Sequence, residues 1–489
     1  MKINHLLLLT SLTIWAGGCA VGPNYQKPAV SAPARWGEPL NGGETGGPAA
    51  VADWWKNFRD PELDSLISRA AQSNLDLKIA QARVREARAE YGIAVGNLLP
   101  TVDASGSYAR QRESQNQPLA GPSDHLPPGI PFENNFYQSG FDAAWEIDVF
   151  GGKRRAVESA KAQVAAAEFG QRDVLVTLLG EVARNYVEAR GYQRRLEIAR
   201  DNIRAQEQSL AIVQNRFTNG LTSDLDVQQA NTVLATTRAV VPALETALQA
   251  SIHRLGVLLG QPPEALQTEL SSVAPIPAAP PSVPVGLPSE LLLRRPDVAM
   301  AERQLAAATA NIGVAKADLF PKFYLTGAAG YQSVSASDWF DGGSRFWSVG
   351  PTVQWNIFDA GRIRANIKIQ NARQEQALAT YEQTALSAFE DVENALVAYA
   401  KEQVRRRSLE DAVTSSQESL RLANQLYSNG LSNFINVLDA ERSLYQAQDA
   451  LLQSDRTVST DVIALYKSLG GGWETLDGQP QLAQATTAK

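Results

Sequence analysis

Two stretches of this chain, about 210 residues apart, carry closely similar sequences. The segment Phe217–Ala230 reads FTNGLTSDLDVQQA, and the segment Tyr427–Ala440 reads YSNGLSNFINVLDA. The same offset aligns Trp145 with Trp355. A period of this length is well outside the range of roughly 20–50 residues that stacked repeat proteins use. The sequence therefore predicts a tandem duplication of one large unit rather than a solenoid.

Farther upstream the two copies differ in length. Ile93–Pro100 matches Val314–Pro321 at an offset of about 221, which indicates a longer loop in the first copy, between Gln111 and Asn135. The predicted parts are a signal peptide (1–18), an extended N-terminal segment (19–60), a first repeat (61–260), a linker (261–288), a second repeat (289–470) and a C-terminal tail (471–489). The linker is rich in proline and is expected to be extended.

Composition argues against several classes of protein. Of the 489 residues, 20% are charged and the formal net charge is −7, with no stripe of Lys and Arg that would indicate a nucleic-acid partner. One Cys, three His and two Met exclude an internal disulfide framework and a cysteine-rich zinc site. Walker A, His-Glu-x-x-His and Gly-x-Ser-x-Gly motifs are absent from the sequence. We therefore expect neither an enzyme nor a protein with a bound cofactor.

The N-terminus has the three parts of a secretory signal. Lys2 is followed by an apolar stretch, Leu6–Trp15, and then by the small residues Ala16-Gly17-Gly18 directly before Cys19. This ending resembles a bacterial lipoprotein box, so Cys19 is the predicted lipidation site; an ordinary signal peptide followed by an incidental cysteine is the alternative. Ala20 stands where Asp would indicate retention at the inner membrane, which implies the outer membrane of a Gram-negative cell.

Four segments alternate apolar and polar residues and end in aromatic side chains, at about 101–111, 137–149, 322–334 and 345–358. This pattern is typical of transmembrane β-strands, although the edge of a small soluble sandwich would also fit it. Four strands cannot close a barrel, and an open sheet in lipid would leave backbone groups unpaired. The barrel must then be assembled from several chains; two would give eight strands and three would give twelve, and the pattern alone does not choose.

Each pair of strands is followed by a long stretch that favours helix. Gly152–Asn219 and Arg362–Asn429 contain no Pro and are dominated by strong helix formers. At 1.5 Å per residue each would be about 100 Å long. Both end at Asn-Gly, a helix-terminating signal, and a second helical stretch follows. We therefore predict helical hairpins over 152–260 and 362–470. A plain coiled-coil stalk is the simpler alternative.

Several motifs in a fixed order identify the family that this chain resembles. They are Val21–Tyr25 (VGPNY), Trp54–Leu63 (WWKNFRDPEL), Arg294–Asp297 (RRPD) and the two Asn-Gly-Leu turns. With the lipoprotein box, they resemble the outer membrane factors of tripartite efflux pumps, the TolC-like channels, in the lipidated branch that works with RND transporters. The resemblance covers the chain from Pro23 to about Gly472.

The resemblance implies a fold and a function. The fold is a mixed α and β homotrimer in which a 12-stranded transmembrane β-barrel, four strands per chain, continues into a long periplasmic α-helical barrel. The function is a passive exit duct for drugs or other small toxic compounds, opened by a periplasmic adaptor (membrane fusion) protein and driven by an inner-membrane RND transporter. The alternatives are a type I protein-secretion duct and a lipid-anchored structural coiled coil.

In this family, acidic and apolar side chains ring the periplasmic aperture. The matching positions here are Ile435 and Asp439, which are one helical turn apart and share a face. Asn436 stands where some relatives carry a second acid, and no basic residue lies near Ser432, so a salt-bridge lock is not expected at this site. In the first copy the candidates are Asp226, equivalent to Asn436, and Asp224. The alternative for Asp439 is a solvated surface carboxylate.

Overall fold

The computed structural model describes residues 20–38, 44–45, 51–112, 133–280 and 282–474. The predicted signal peptide and lipidation site, Cys19, lie outside the described residues. The chain divides into two compact units. The strand unit contains residues 85–165 and 303–379 with the N-terminal residues up to Pro28, and the helix unit contains 29–84, 166–302 and 380 onward. Each unit takes matching pieces from both copies, so the duplicated sequence does not fold as two separate domains.

The strands of the described chain are β1 (Glu44–Thr45), β2 (Thr101–Arg112), β3 (Glu133–Ile147), β4 (Val283–Pro284), β5 (Lys322–Ser333) and β6 (Arg345–Gln354). The strand unit holds an antiparallel sheet of four strands in the order β2-β3-β5-β6. Its central pair joins the two copies, because β3 of the first copy pairs with β5 of the second, with Ile147 opposite Phe323. This pairing is the reason why the compact units cross the repeat boundaries.

The largest differences from the predicted ranges are at the end of β6 and at the start of β3, and strand pairing explains both. Strand β6 ends at Gln354, where its last partner is Lys322, the first residue of β5. Pro321 precedes Lys322 and has no N–H to extend the ladder. Strand β3 begins at Glu133, earlier than the pattern of apolar residues indicated, because Glu133 still pairs with Arg112 of β2.

The α-helices of the described residues are α1 (Pro61–Ser73), α2 (Leu75–Gly96), α3 (Gly152–Thr218), α4 (Asp224–Leu258), α5 (Pro288–Arg294), α6 (Pro296–Ala317), α7 (Arg362–Ser428) and α8 (Phe434–Ser468). The duplication is visible in their lengths, since α3 and α7 have 67 residues each and α4 and α8 have 35 each. It is also visible in two side chains. The indole of Trp145 donates to the carbonyl of Leu98, and the indole of Trp355 donates to the carbonyl of Leu319.

Within the helix unit, residues of the Trp54–Leu63 motif make packing and helix-capping contacts. Trp54 is buried and stacks on Tyr466 of α8 with ring centroids 5.4 Å apart. Asp60 caps α1 by accepting hydrogen bonds from the amides of Glu62 and Leu63, and it also accepts one from the hydroxyl of Tyr186 at 2.9 Å. These contacts tie the N-terminal segment to the long helices.

The Arg294–Asp297 motif acts through its second arginine. The side chain of Arg295 is largely buried and forms ion pairs with Asp297 at 2.7 Å and with Asp391 of α7 at 2.9 Å. It also donates to the carbonyl of Ser468 at the end of α8. One guanidinium thus joins segments of three helices, which explains why an arginine with several donors is needed there.

Among the described residues, no helix has the combination of length and hydropathy that crossing a membrane requires.

Candidate functional site at the hairpin turns

The candidate aperture residues lie at two equivalent turns of the helix unit. In the first hairpin α3 ends before Gly220, whose φ is +70°, and in the second α7 ends before Gly430, whose φ is +72°. After each glycine, the amide of the leucine reaches back across the last helical turn: Leu221 donates to the carbonyl of Arg216 at 2.8 Å, and Leu431 to that of Leu426 at 2.9 Å. The left-handed glycine and this long backbone bond form the usual helix-terminating motif, so the Asn-Gly pairs set the position of both turns.

A shared apolar core packs the two turns together. The side chains buried in it come from three helices: Val213 of α3, Val227 and Ala230 of α4, and Phe434, Val437 and Leu438 of α8. Because residues of both copies contribute to one core, the two hairpins are held as a single structure at this end of the helix unit. The first turns of α4 and α8, which carry the candidate residues, are therefore fixed relative to each other by packing.

Of the two described turns, the second has an aromatic contact across it. The rings of Tyr427 and Phe434 lie 5.2 Å apart across the turn, and the guanidinium of Arg216 lies 4.6 Å from the centroid of Tyr427. The first-copy equivalent of Tyr427 is Phe217, whose side chain is exposed. Arg216 of the first hairpin thus stabilises the second turn through a cation–π contact.

The three second-copy candidates are on the exposed side of α8. Ile435 is 39% exposed although its neighbour Phe434 is buried. Asp439 is exposed and forms an ion pair with Arg442 on the same helix, with 2.9 Å between the carboxylate and the guanidinium. The amide of Asn436 donates to the hydroxyl of Ser432 at 2.8 Å. The structure therefore brings Ile435, Asn436 and Asp439 together on the first turns of one helix, outside its packed face.

The first-copy candidates lie in the first turn of α4. Asp226 accepts a hydrogen bond from the hydroxyl of Thr222, and Asp224 accepts one from the amide of Gln228 at 3.2 Å. Both carboxylates follow the N-cap residue Ser223, where negative charge is favoured by the helix dipole. Their hydrogen-bond partners are neutral, so neither carboxylate has its charge balanced by these contacts.

Arg442 and Glu441 were not among the predicted site residues. Arg442 follows Asp439 by three positions, a spacing at which opposite charges pair on a helix, so the sequence did contain the signal. Glu441 follows Phe434 and Leu438 at helical spacing, on the buried face of α8. It is only 6% exposed, and one carboxylate oxygen accepts from the hydroxyl of Ser209 of α3 at 2.5 Å. Burial raises the pKa of Glu441, and the hydrogen bond from Ser209 opposes that shift.

The other carboxylate oxygen of Glu441 is buried without a hydrogen-bond partner. A charged carboxylate oxygen that is buried without a partner is costly, so this position disfavours the ionised form of Glu441. Within the described residues, no group of three His, Cys, Asp or Glu side chains is placed to hold a metal ion.

Comparison with known proteins decides the family. The sequence model of the outer membrane efflux protein family matches residues 66–261 and 287–471, one match for each copy of the duplication. The chain belongs to the outer membrane efflux protein family. The resemblance inferred from the sequence motifs is confirmed.

Individual relatives match over almost the whole chain. The toluene efflux pump outer membrane protein TtgI of Pseudomonas putida is 34% identical over 478 residues, covering 97% of this chain and 99% of its own. The pyoverdine export outer membrane protein OpmQ of Pseudomonas aeruginosa is 34% identical over 475 residues, covering 97% of this chain and 98% of its own. Among solved structures, the outer-membrane channel OprN is 36% identical and superimposes with a TM-score of 0.85, covering 93% of this chain and all of its own.

Membership fixes the fold and the place of action. The long helices and the four antiparallel strands are the parts of an outer membrane efflux channel, and the chain is the outer membrane component of an efflux pump. It acts in the outer membrane. Members of this family are channels rather than enzymes. The hairpin turns described above are thus the ends of helices in an export channel.

Proposed function

We propose that three copies of this chain form the passive exit duct of a tripartite pump for drugs or other small toxic compounds, opened by a periplasmic adaptor protein and driven by an inner-membrane RND transporter. The observation that carries this proposal is the open four-stranded sheet. Strands β2 and β6 lie at its two ends and pair on one side only within the described chain. Each presents a row of backbone donors and acceptors, which lipid cannot satisfy.

Pairing between chains resolves the open edges. If β2 of one copy pairs with β6 of the next, a closed ring forms without any unpaired edge. Four strands per chain then give twelve strands in a homotrimer, within the size range of outer-membrane barrels. The 12-stranded barrel and the trimer are therefore one proposal, since either requires the other.

The exposed strand residues fit a lipid environment. Large apolar side chains remain exposed on the sheet of a single chain, among them Phe141 of β3 and Trp347 of β6, which is 78% exposed. An apolar surface of this kind is unfavourable in water and favourable in a bilayer. We propose that these side chains contact the lipid of the outer membrane.

Anchoring and energy come from outside the folded chain. We propose that Cys19 carries a covalent lipid and becomes the mature N-terminus, that the protein holds no other cofactor, and that transport is driven by the partner transporter.

Around a threefold axis, Ile435 and Asp439 would form rings of three apolar and three acidic side chains at the periplasmic end. An apolar ring hinders the passage of water and ions, and a carboxylate ring favours cations.

The class of substrate is the broadest part of the proposal. TtgI is named for toluene and OpmQ for pyoverdine, which are very different compounds, yet both are 34% identical to this chain. Identity over the whole chain therefore does not select between them. We propose that the duct accepts small compounds in general and that the inner-membrane transporter selects among them.

The proposal is tested by conductance. The purified full-length protein is added to a planar bilayer, and single-channel currents are recorded. Discrete, cation-preferring conductance steps support a duct; a protein that reaches the outer membrane but produces no steps would be a structural envelope protein instead. Drug susceptibility of a deletion strain, with and without the gene restored, then separates small-molecule efflux from protein secretion.

A further inference from the structure

The residues directly after the lipidation site follow a fixed path across the strand unit. Val21 donates its amide hydrogen to the carbonyl of Phe150 at 3.0 Å, in the turn between β3 and α3. In return, Arg155 in the first turn of α3 donates to the carbonyl of Val21 at 3.2 Å and to the side-chain oxygen of Asn24 at 2.7 Å. The segment Ala20–Tyr25, called the strap below, is therefore hydrogen-bonded on both sides.

Arg155 is built into this contact. Its side chain is only 6% exposed, and a further nitrogen of its guanidinium is paired with Glu158 at 2.7 Å. A third hydrogen bond to the strap runs to the carbonyl of Gly22 at 3.4 Å. A buried arginine is costly unless its donors are satisfied, and here the strap satisfies most of them.

Glycines make the close approach possible. A Cβ atom on Gly313 of α6 would lie 2.8 Å from the carbonyl oxygen of Val21, and a Cβ atom on Gly22 would lie 2.5 Å from the Cα of Gly313. On the opposite side, a Cβ atom on Gly151 would lie 2.6 Å from the Cα of Ala20. Any larger residue at these positions would displace the strap.

The internal duplication provides a comparison within the same molecule. Gly92 occupies the position in the first copy that Gly313 occupies in the second, and a Cβ atom on Gly92 would meet nothing within 4 Å. The counterpart of Gly151 is Gly361, and a Cβ atom on Gly361 would also meet nothing within 4 Å. The counterpart of Arg155 is Ala365, whose side chain has no hydrogen-bond donor. The strap lies where Gly151 and Arg155 of the first copy and Gly313 of the second come together, and their counterparts Gly361, Ala365 and Gly92 form no such contact surface within the described chain.

We propose that Arg155, Gly151 and Gly313 form a seat for the strap, and that this seat fixes the lipid-bearing N-terminus beside the end of β3. Cys19 is bonded directly to Ala20, so a fixed Ala20 leaves only one peptide unit, about 3.8 Å between Cα atoms, as the link between the seat and the lipidated residue. The lipid of each chain then enters the membrane at one defined point of the sheet instead of at the end of a free tether. This inference rests on the proposed lipidation of Cys19.

The test uses a spin label at Gln26, an exposed residue just beyond the strap. In a Gln26→Cys chain whose Cys19 is lipidated, the introduced cysteine is the single free thiol and takes one nitroxide. The spectrum should show an immobilised label. Three changes should each lower the ratio of immobile to mobile label: Asn24→Ala, Arg155→Ala and Gly313→Val. The loss of one hydrogen bond to a charged group corresponds to a decrease of about tenfold in this ratio. Gly92→Val, the matched change in the other copy, should leave the ratio unchanged.

Two results would overturn the seat. One is an immobilised label in both Asn24→Ala and Gly313→Val; the other is an equal loss of immobilisation in Gly92→Val and Gly313→Val. Asn24→Ala keeps the test valid if Gly313→Val fails to fold, since Asn24 is exposed. Failure of the lipidation proposal gives a different signal, because a free Cys19 would take a second nitroxide, which the mass of the labelled chain reveals.

Discussion

The guanidinium of Arg442 lies 2.9 Å from the carboxylate of Asp439, one turn farther along the same helix. Both side chains of this ion pair are exposed to solvent, so the pair contributes little to the stability of the fold. Its effect is on charge: a neighbouring arginine reduces the negative potential that Asp439 presents. Asp439 therefore forms its ion pair within its own helix rather than a salt bridge to a neighbouring helix.

The aperture is tested by removing its two candidate side chains. Asp439→Ala combined with Ile435→Ala should raise the single-channel conductance and weaken the cation preference, because the ring loses its apolar bulk and its charge. The free energy of unfolding should change by less than about 0.5 kcal/mol per site, as for other exposed positions. Conductance and reversal potential in planar bilayers measure the effect.

Arg442→Ala is the matched control for that variant. It leaves both candidate side chains in place and removes only the cation that pairs with Asp439, so the cation preference should increase while the conductance stays close to wild type. If the double variant and wild type conduct equally, the constriction lies elsewhere, and Asp224 and Asp226 become the residues to change.

Lipidation of Cys19 is tested by metabolic labelling. Cells that express the wild-type chain should incorporate radiolabelled palmitate into it, and Cys19→Ser should abolish the label because a hydroxyl does not replace the thiol in this modification. Incorporation is read from an immunoprecipitate. A Cys19→Ser chain that is labelled as strongly as wild type would place the anchor at another residue.

The number of chains in the channel follows from the two open edges of the sheet. The detergent-solubilised complex should have the mass of three chains, because twelve strands close when β2 of each chain pairs with β6 of the next. Native mass spectrometry measures this directly. A mass of two or four chains would contradict the proposed trimer.

The shared core at the hairpin turns should control how firmly those turns are held. Phe434 is 3% exposed in this core, and Phe434→Ala should cost about 3–5 kcal/mol through lost burial and the cavity left behind. Amide exchange should then accelerate in the turns after α3 and α7. Leu431→Ala is the control, since Leu431 is 74% exposed in the same turn. Equal exchange in the two variants would mean that the core does not stabilise the turns.

A half-buried acid is expected to make the stability of the helix unit depend on pH. Burial, aided by the nearby Glu402, raises the pKa of Asp461 to about 6. Since this folded-state pKa exceeds the ordinary value near 4, the protonated form is favoured in the folded state. Its contribution to stability is complete below about pH 4 and is lost as the pH rises through about 6.

Asp461→Asn should therefore flatten the decline in Tm between about pH 4 and pH 7, measured by thermal unfolding of the solubilised protein. The exposed Asp411 provides the control, and Asp411→Asn should keep the wild-type slope. An unchanged slope in Asp461→Asn would show that Asp461 titrates like an ordinary surface acid.

Local patterns in the sequence were enough for the strands, the long helices and their turns. Alternation with a period of two predicted the strands, and Asn429-Gly430 predicted the end of α7. Both signals depend on residues that are close together in the sequence, so they are visible without the structure. The ion pair of Asp439 with Arg442 was also readable, from a spacing of three. The burial of Glu441 could have been inferred from its helical spacing to Phe434.

Contacts between distant residues could not be predicted in this way. Nothing near Arg155 in the sequence indicates that it binds the backbone of Val21, and Gly92 and Gly313 look equivalent until the strap is seen on one of them. The division into compact units was hidden for the same reason, since it depends on which strands of the two copies pair.

The pairing of β3 with β5 has a consequence for biogenesis. Ile147 meets Phe323 only after the whole first helical hairpin and the linker have been made, because both lie between them in the chain. Contacts of such high contact order form slowly, and until then β3 has a free edge that can pair with other chains and aggregate. We therefore expect the unfolded chain to stay prone to aggregation for longer than a chain whose strands pair only in consecutive hairpins.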